Sequence, residues 1–180
     1  MSIFDGIEHK TGAVGRSTDI TPGVYEFEAL SVADGVTPFT KDDFFKVGVK
    51  VLASSGEPCP SKDGSLVNPL PVGTETEIFI GRDKYGYFIT EIKELAAVLS
   101  NATAALVGES ADFTPASITE ADLKTLVAPE QPAKGVRFRG VYSVKPGKFN
   151  KNGTPVSNKK YAAILGASAG AAAGTSATAS

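Results

Sequence analysis

The chain has 180 residues, 42% of them apolar and 21% charged, which suits one packed domain with or without a tail. One cysteine, Cys59, rules out an internal disulfide, and one histidine, His9, leaves no partner for a His-x-x-x-His metal pair. The net charge of −2 hides two unlike parts: all 20 Asp/Glu lie in residues 1–130, and residues 131–180 carry 8 Lys/Arg with no acid.

Residues 1–22 read as a flexible N-terminal arm, polar and punctuated by Gly6, Gly12 and Gly15. They lack a basic start followed by an apolar run, so a secretion signal is not expected. Pro22-Gly23 marks a turn, and a strand is predicted from Val24 to about Ala33, with Tyr25, Phe27 and Ala29 on one face and Glu26 and Glu28 on the other. The next strand, Phe44 to Ala53, alternates most clearly. Phe45, Val47, Val49 and Val51 face the core, and Phe44, Lys46, Gly48 and Lys50 face outward. Residues 54–73 form a long loop with prolines at 58, 60, 69 and 71. A third strand is predicted over Thr74–Ile80, followed by a turn holding Arg82, Lys84 and Tyr85.

A helix is expected from an N-cap at Thr90, with Glu91 and Glu94 in its first turn and Ile92, Leu95, Ala96 and Leu99 at helical spacing. Ser117-Ile118-Thr119-Glu120 has the pattern of a capping box, and Pro129 closes the helix it opens; Ala121, Leu123, Leu126 and Val127 would form its apolar face. A β-hairpin ends the domain. Val136, Phe138, Gly140, Tyr142 and Val144 share the core face, Asn152-Gly153 is the sharpest turn signal, and Tyr161–Leu165 returns. Residues 166–180 are Ala, Gly, Ser and Thr alone and read as a disordered tail; burying so little apolar area gives a membrane helix no support. The expected organisation is thus a domain over residues 23–165 between an arm and a tail.

No phosphate-binding glycine loop and no dinucleotide fingerprint occurs, and no enzyme or cofactor is expected. Cys59, between two prolines, reads as a bystander thiol. Asp42 and Asp43 are adjacent, and on a strand they would face opposite ways. What stands out is basic residues interleaved with aromatics, the pairing that single-stranded nucleic acid needs: cations follow the phosphates and flat rings stack on bases. The candidate residues are Phe44, Lys46 and Lys50 on the second strand, Arg82, Lys84 and Tyr85 in the turn, and Arg137, Arg139, Lys145, Lys148, Phe149 and Lys151 near the hairpin. Phe44, Tyr85 and Phe149 would stack. Phe45, Phe138 and Tyr142 are expected in the core.

The order of Pro22-Gly23-Val24-Tyr25-Glu26-Phe27, Phe45-Lys46-Val47-Gly48-Val49, the helix around Ile92–Leu99, Gly135-Val136-Arg137-Phe138-Arg139-Gly140, Gly147-Lys148-Phe149-Asn150-Lys151-Asn152-Gly153 and Asn158-Lys159-Lys160-Tyr161 resembles phage-encoded single-stranded DNA-binding proteins with an oligonucleotide-binding (OB) fold. The resemblance implies a mainly β fold with one or two helices, an OB-like partly open β-barrel. It further implies sequence-independent binding of single-stranded DNA in replication or recombination, contact with replication or recombination proteins, a possible homo-oligomer, no membrane, and a place in the (host) cytoplasm. Many such proteins end in an acidic tail that recruits partners, whereas this chain ends without acid. Two other readings fit the same residues: a structural or assembly protein of a virion, and a small metal-dependent nuclease built from scattered carboxylates.

Overall fold

The computed structural model describes residues 3–4, 6–7, 20–37, 41–82, 86–150 and 153–164. Among the described residues, seven strands and two α-helices make up the fold. They run β1 (Gly23–Val36), β2 (Asp43–Ser55), β3 (Cys59–Pro60), β4 (Leu66–Val67), β5 (Glu75–Gly81), α1 (Tyr87–Leu106), α2 (Glu120–Val127), β6 (Arg137–Phe149) and β7 (Pro155–Ala163). Five long strands form one antiparallel sheet in the order β5-β2-β1-β6-β7, and β3 and β4 pair by themselves. The fold is mainly β with two helices. The sheet is open: β5 and β7 are its two edges and do not pair with each other.

Strand alternation builds the core. Phe45, Val47, Val49 and Val51 of β2 are buried, as are Tyr25, Phe27 and Ala29 of β1, Ile78 and Ile80 of β5, and Phe138 and Tyr142 of β6. Ile92, Leu95, Ala96 and Leu99 of α1 pack onto that face, with Leu123 and Leu126 of α2. In β1 the phase changes at a bulge between Ala29 and Ser31, so the next buried residue is Val32. Past the bulge β1 leaves β6, and a side chain replaces the missing strand. The Val32 N–H donates to Gln131 Oε1 at 2.8 Å, and Gln131 Nε2 donates to the Val32 carbonyl at 3.0 Å. At the other end of β1, the Tyr25 hydroxyl donates to the Thr21 carbonyl at 2.7 Å and accepts from the Leu70 N–H at 2.9 Å, fixing the β2–β5 connector over the strand start.

Several boundaries depart from the sequence expectation. The first helix begins at Tyr87, not at Thr90, because Gly86 takes a left-handed conformation (φ 83°) that turns the chain directly into it. Glu91 and Glu94 therefore lie inside the helix, and Glu91 is buried. The second helix is capped by Thr119, two residues beyond Ser117: the Asp122 N–H donates to Thr119 Oγ1 and the Thr119 N–H donates to Asp122 Oδ2. Ser117 instead closes a 3-10 turn with Thr114. Ala121 is exposed, leaving Leu123 and Leu126 as the buried residues of that helix. Val144 is exposed as well, at the point where the regular β6–β7 pairing ends. β6 runs on to Phe149 and the return strand starts at Pro155 rather than Tyr161, so Lys148, like Lys145, sits on a strand.

The core also takes in part of the expected arm. Ile3, Phe4, Ile7 and Ile20 are buried, Phe4 meets Phe45 edge-on at 5.7 Å, and the Gly6 N–H donates to Glu120 Oε1. Residues 8–19 of that arm, and the tail from residue 165, lie outside the described residues.

Candidate nucleic-acid interface

The outer face of the sheet, turned away from the helices, carries most of the expected site. Its charges alternate from strand to strand. At one level the register aligns Glu75 of β5, Lys50 of β2, Glu28 of β1 and Arg137 of β6. Several expected cations therefore meet acids. Lys46 Nζ is 3.0 Å from Glu77 Oε2, Arg82 Nη2 is 2.9 Å from Asp43 Oδ2, and Arg137 Nη1 is 3.4 Å from Glu26 Oε1. Lys50 lies between Glu28 and Glu75. Opposite charges on facing strands favour each other, so these residues hold the sheet as well as colouring its surface.

Charge separates toward the other edge. Arg139 on β6, Lys148 further along β6 and Lys160 on β7 are exposed, and none has an ion pair among the described residues. Arg139, Val141 and Ser143 share the outer face, and Lys160 is the cross-strand partner of Val141. Lys145 continues this direction. From Arg137 to Lys145 the strip extends about 26 Å at strand rise.

The hairpin projects beyond the level where β1 begins, since Gly23 pairs with Tyr142. Its pairing is irregular between Val144 and Phe149, and Phe149 faces Pro155 with 38% of its surface exposed. The tip is tied to the β3–β4 loop, where the Lys62 N–H donates to the Gly153 carbonyl at 2.8 Å. That loop is itself knotted. The Asp63 carboxylate accepts from Ser65 Oγ at 2.6 Å and the Ser65 N–H at 2.9 Å, and also from Ser61 Oγ. Those hydrogen bonds, Ser61 first, hold the Asp63 carboxyl well below the usual aspartate range. Lys62, which the sequence analysis passed over, is thereby brought beside the basic hairpin.

The rings divide in the same way. Phe44 stacks on Phe79 with centroids 5.2 Å apart and planes 28° apart, and Lys46 Nζ lies 5.7 Å from the Phe44 centroid. Phe79 is the more open ring, 46% exposed. It was also missed, although Ile78 and Ile80 facing inward require Phe79 to face outward. This pair stands about 20 Å of strand away from the level of Arg137. The structure thus places Phe44, Lys46 and Lys50 on the β2–β5 side and Arg137, Arg139 and Lys145 on the β6 side of one face. Arg82 goes with Asp43 to the helix side, where its guanidinium lies 5.1 Å from the Phe88 ring centroid. Lys148 and Phe149, adjacent on the irregular part of β6, turn to opposite faces. Lys84, Tyr85 and Lys151 lie outside the described residues.

Among the described cations of the acid-free segment, Lys159 has its side chain buried. Lys159 points to α1, where its Nζ donates to Glu91 Oε2 at 2.6 Å. Beside it the hydroxyls of Tyr142 and Tyr161 are 2.6 Å apart. Burial, chiefly, and then the neighbouring Tyr142 and Glu91 push the Tyr161 phenol well above its ordinary range.

Cys59 is buried, and that burial raises its thiol, as suits an unreactive side chain. Among the described residues no three of His, Cys, Asp and Glu are grouped to hold a metal ion, and no helix is long and apolar enough to cross a membrane. The chain matches no family model, no curated protein and no solved structure.

Proposed function

We propose that this chain binds single-stranded DNA without regard to sequence and without catalysis, in the replication or recombination of DNA, as phage-encoded proteins of this kind do. The observation that carries the reading is the acid-free hairpin: Arg139, Lys148 and Lys160 stand exposed along it with no ion pair among the described residues. A row of cations on a protruding ribbon suits a phosphate backbone, whose neutralisation releases counterions and supplies the sequence-independent affinity.

Two further features support it. In OB folds the faces of strands 2 and 3 and the loops joining strands 1–2 and 4–5 take up oligonucleotides. Counting the five long strands only, the β6–β7 hairpin is the 4–5 connection, and the Phe44–Phe79 stack lies on strands 2 and 3. Exposed Phe79 and Phe149 offer ring faces to bases, a contact that tolerates any sequence. A cytoplasmic location, that of the host for a phage protein, goes with this reading.

The test is binding of labelled oligo-dT and of duplex of equal length, at low and high salt, by the wild type and by Arg139→Glu/Lys148→Glu. The single strand is bound more tightly than the duplex, its affinity falls steeply with salt, and the double variant loses most of it. Affinity for oligo-dT that stays level across the salt titration, or that the double variant retains, overturns the reading.

A further inference from the structure

β7 is an edge of the sheet, with β6 on one side of it and no strand on the other. The Ile164 N–H donates to the Arg137 carbonyl at 3.3 Å, so residues 137 and 164 form a hydrogen-bonded pair. Alternation along the register then turns the main chain of Ala162 and Lys160 toward β6, and that of Tyr161 and Ala163 away from it. No hydrogen bond from any described residue reaches the outward N–H and C=O groups of Tyr161 and Ala163.

These groups open into a cleft of about 380 Å³ between β7 and α1. Four consecutive residues of the strand, 160–163, line it, so β7 presents its edge there rather than one face. Glu94, Ala97 and Val98 of α1 and then Phe113 and Pro115 make the opposite wall. That wall is fixed: Asn101 Nδ2 donates to the Phe113 carbonyl at 2.9 Å, and Asn101 Oδ1 accepts from the Phe113 N–H at 2.8 Å. Small side chains at Ala97, Ala162 and Ala163 leave width for another main chain.

We propose that this edge takes up an extended peptide segment of another protein as a sixth strand, with acidic side chains alternating with small apolar ones. Main-chain pairing at Tyr161 and Ala163 provides the affinity, and the cleft selects side chains at every second position. Positions that face Ala97 and Val98 accept residues of alanine or valine size. Positions on the other side lie beside Lys160, with Arg139 one strand further in opposite Ala162; both cations are exposed on a segment with no acid of its own. The one carboxylate in the cleft lining, Glu94 of α1, is attracted by Lys160 and by Lys159 as well. An opposite charge is favoured at such a cross-strand position. The same charges disfavour a second copy of β7 at this seam, and residues 165–180 contain no acid to offer it.

The probe is a fluorescein-labelled octapeptide, Glu-Val-Glu-Ala-Glu-Val-Glu-Ala, added to the full-length chain, with anisotropy and amide hydrogen exchange as readouts. The expected result is saturable binding with slowed exchange at Tyr161 and Ala163. Replacing Glu by Lys in the probe, or N-methylating its alternate amides, weakens binding by about tenfold or more. Ala163→Pro removes an outward N–H while leaving the pairing with β6 intact, and Ala97→Leu fills the cleft from the helix side; both abolish binding, with thermal transitions recorded to show that each variant is folded. Failure of the wild type to bind, or equal binding of the lysine or N-methylated probe, overturns the proposal. So does retention of binding by both folded variants. Amides at 161 and 163 that are already slow and become fast when residues 166–180 are deleted would assign the edge to the chain's own tail and equally overturn it.

Discussion

Lys159 donates to Glu91 across 2.6 Å in the seam between β7 and α1, with the two side chains only 4% and 8% exposed. The edge strand is thus locked to the helix by a buried ion pair, at a position where the basic segment turns a cation inward. Such a pair contributes little against a well-packed apolar substitute, because both ions have lost their water. Removing one member is another matter, since the other buried charge then loses its partner at 2.6 Å.

Lys159→Met and Glu91→Leu should each destabilise the fold by about 3–5 kcal/mol, and the double variant by much less than the sum. Urea denaturation of the four proteins in a double-mutant cycle measures this. Additive losses would mean that the two side chains do not act as a pair.

Glu94, one turn along α1, reports on the same seam through pH. Burial pushes its carboxyl above the ordinary glutamate range, and Lys159 and Lys160 draw it partway back. Such a group holds its proton more tightly in the folded chain than in the unfolded one. Stability therefore declines as pH rises from the ordinary glutamate value, about 4.3, through the raised folded value. Glu94→Gln removes this decline, so its urea midpoint gains on the wild type over that interval and the gain levels off above the raised folded value. Parallel midpoint curves for the two proteins would contradict it.

Gly140 is needed for a close approach rather than for a turn. A Cβ built there would lie 2.7 Å from Phe27 Cε2 and 3.1 Å from Tyr142 Cε1, both ring atoms packed in the core. The rings of Phe27 and Tyr142 close over this glycine on the inner face of the sheet, and neither can withdraw without disturbing Tyr25 and Phe138. Gly140→Ala should cost about 1–3 kcal/mol as overpacking, read as a lower thermal midpoint. An unchanged midpoint would show that the aromatic cluster is looser than its geometry.

Strand identity was legible wherever one face is buried. The alternation of Phe45, Val47, Val49 and Val51 fixes β2 and turns Lys46 and Lys50 outward, and the structure keeps both features. The same rule, applied to Ile78 and Ile80, would have placed Phe79 on the surface beside Phe44. The fate of the charges was not legible. That Lys46 meets Glu77, Arg82 meets Asp43 and Arg137 meets Glu26 depends on strand order and register, which join residues as far apart as 26 and 137. Lys159 was hidden for a related reason: its neighbours Asn158 and Lys160 are exposed, and only the helix packed across β7 brings Glu91 to it. Ile3, Phe4 and Ile7 were overlooked because apolar residues so few and so widely spaced show no period of their own.

The ion pairs divide the candidate cations, and the division has a measurable consequence. Lys46 and Arg82 already face carboxylates, so a phosphate near them must compete with Glu77 and Asp43. Arg139 and Lys148 have no such competitor among the described residues. For single strands the logarithm of affinity falls with the logarithm of salt concentration by about 0.7 for each phosphate neutralised. Arg139→Ala and Lys148→Ala should therefore each shallow that slope for oligo-dT by about 0.7, whereas Lys46→Ala and Arg82→Ala change it by much less. Phe79→Ala removes a ring and no charge, so it should lower affinity by about 1–3 kcal/mol and leave the slope unchanged. Fluorescence titrations of the five variants at four salt concentrations separate these cases. Equal slope changes for the paired and the unpaired cations would mean that the strand displaces Glu77 and Asp43 and runs across the whole sheet, and an unaltered affinity in Phe79→Ala would remove the β2–β5 ring pair from its path.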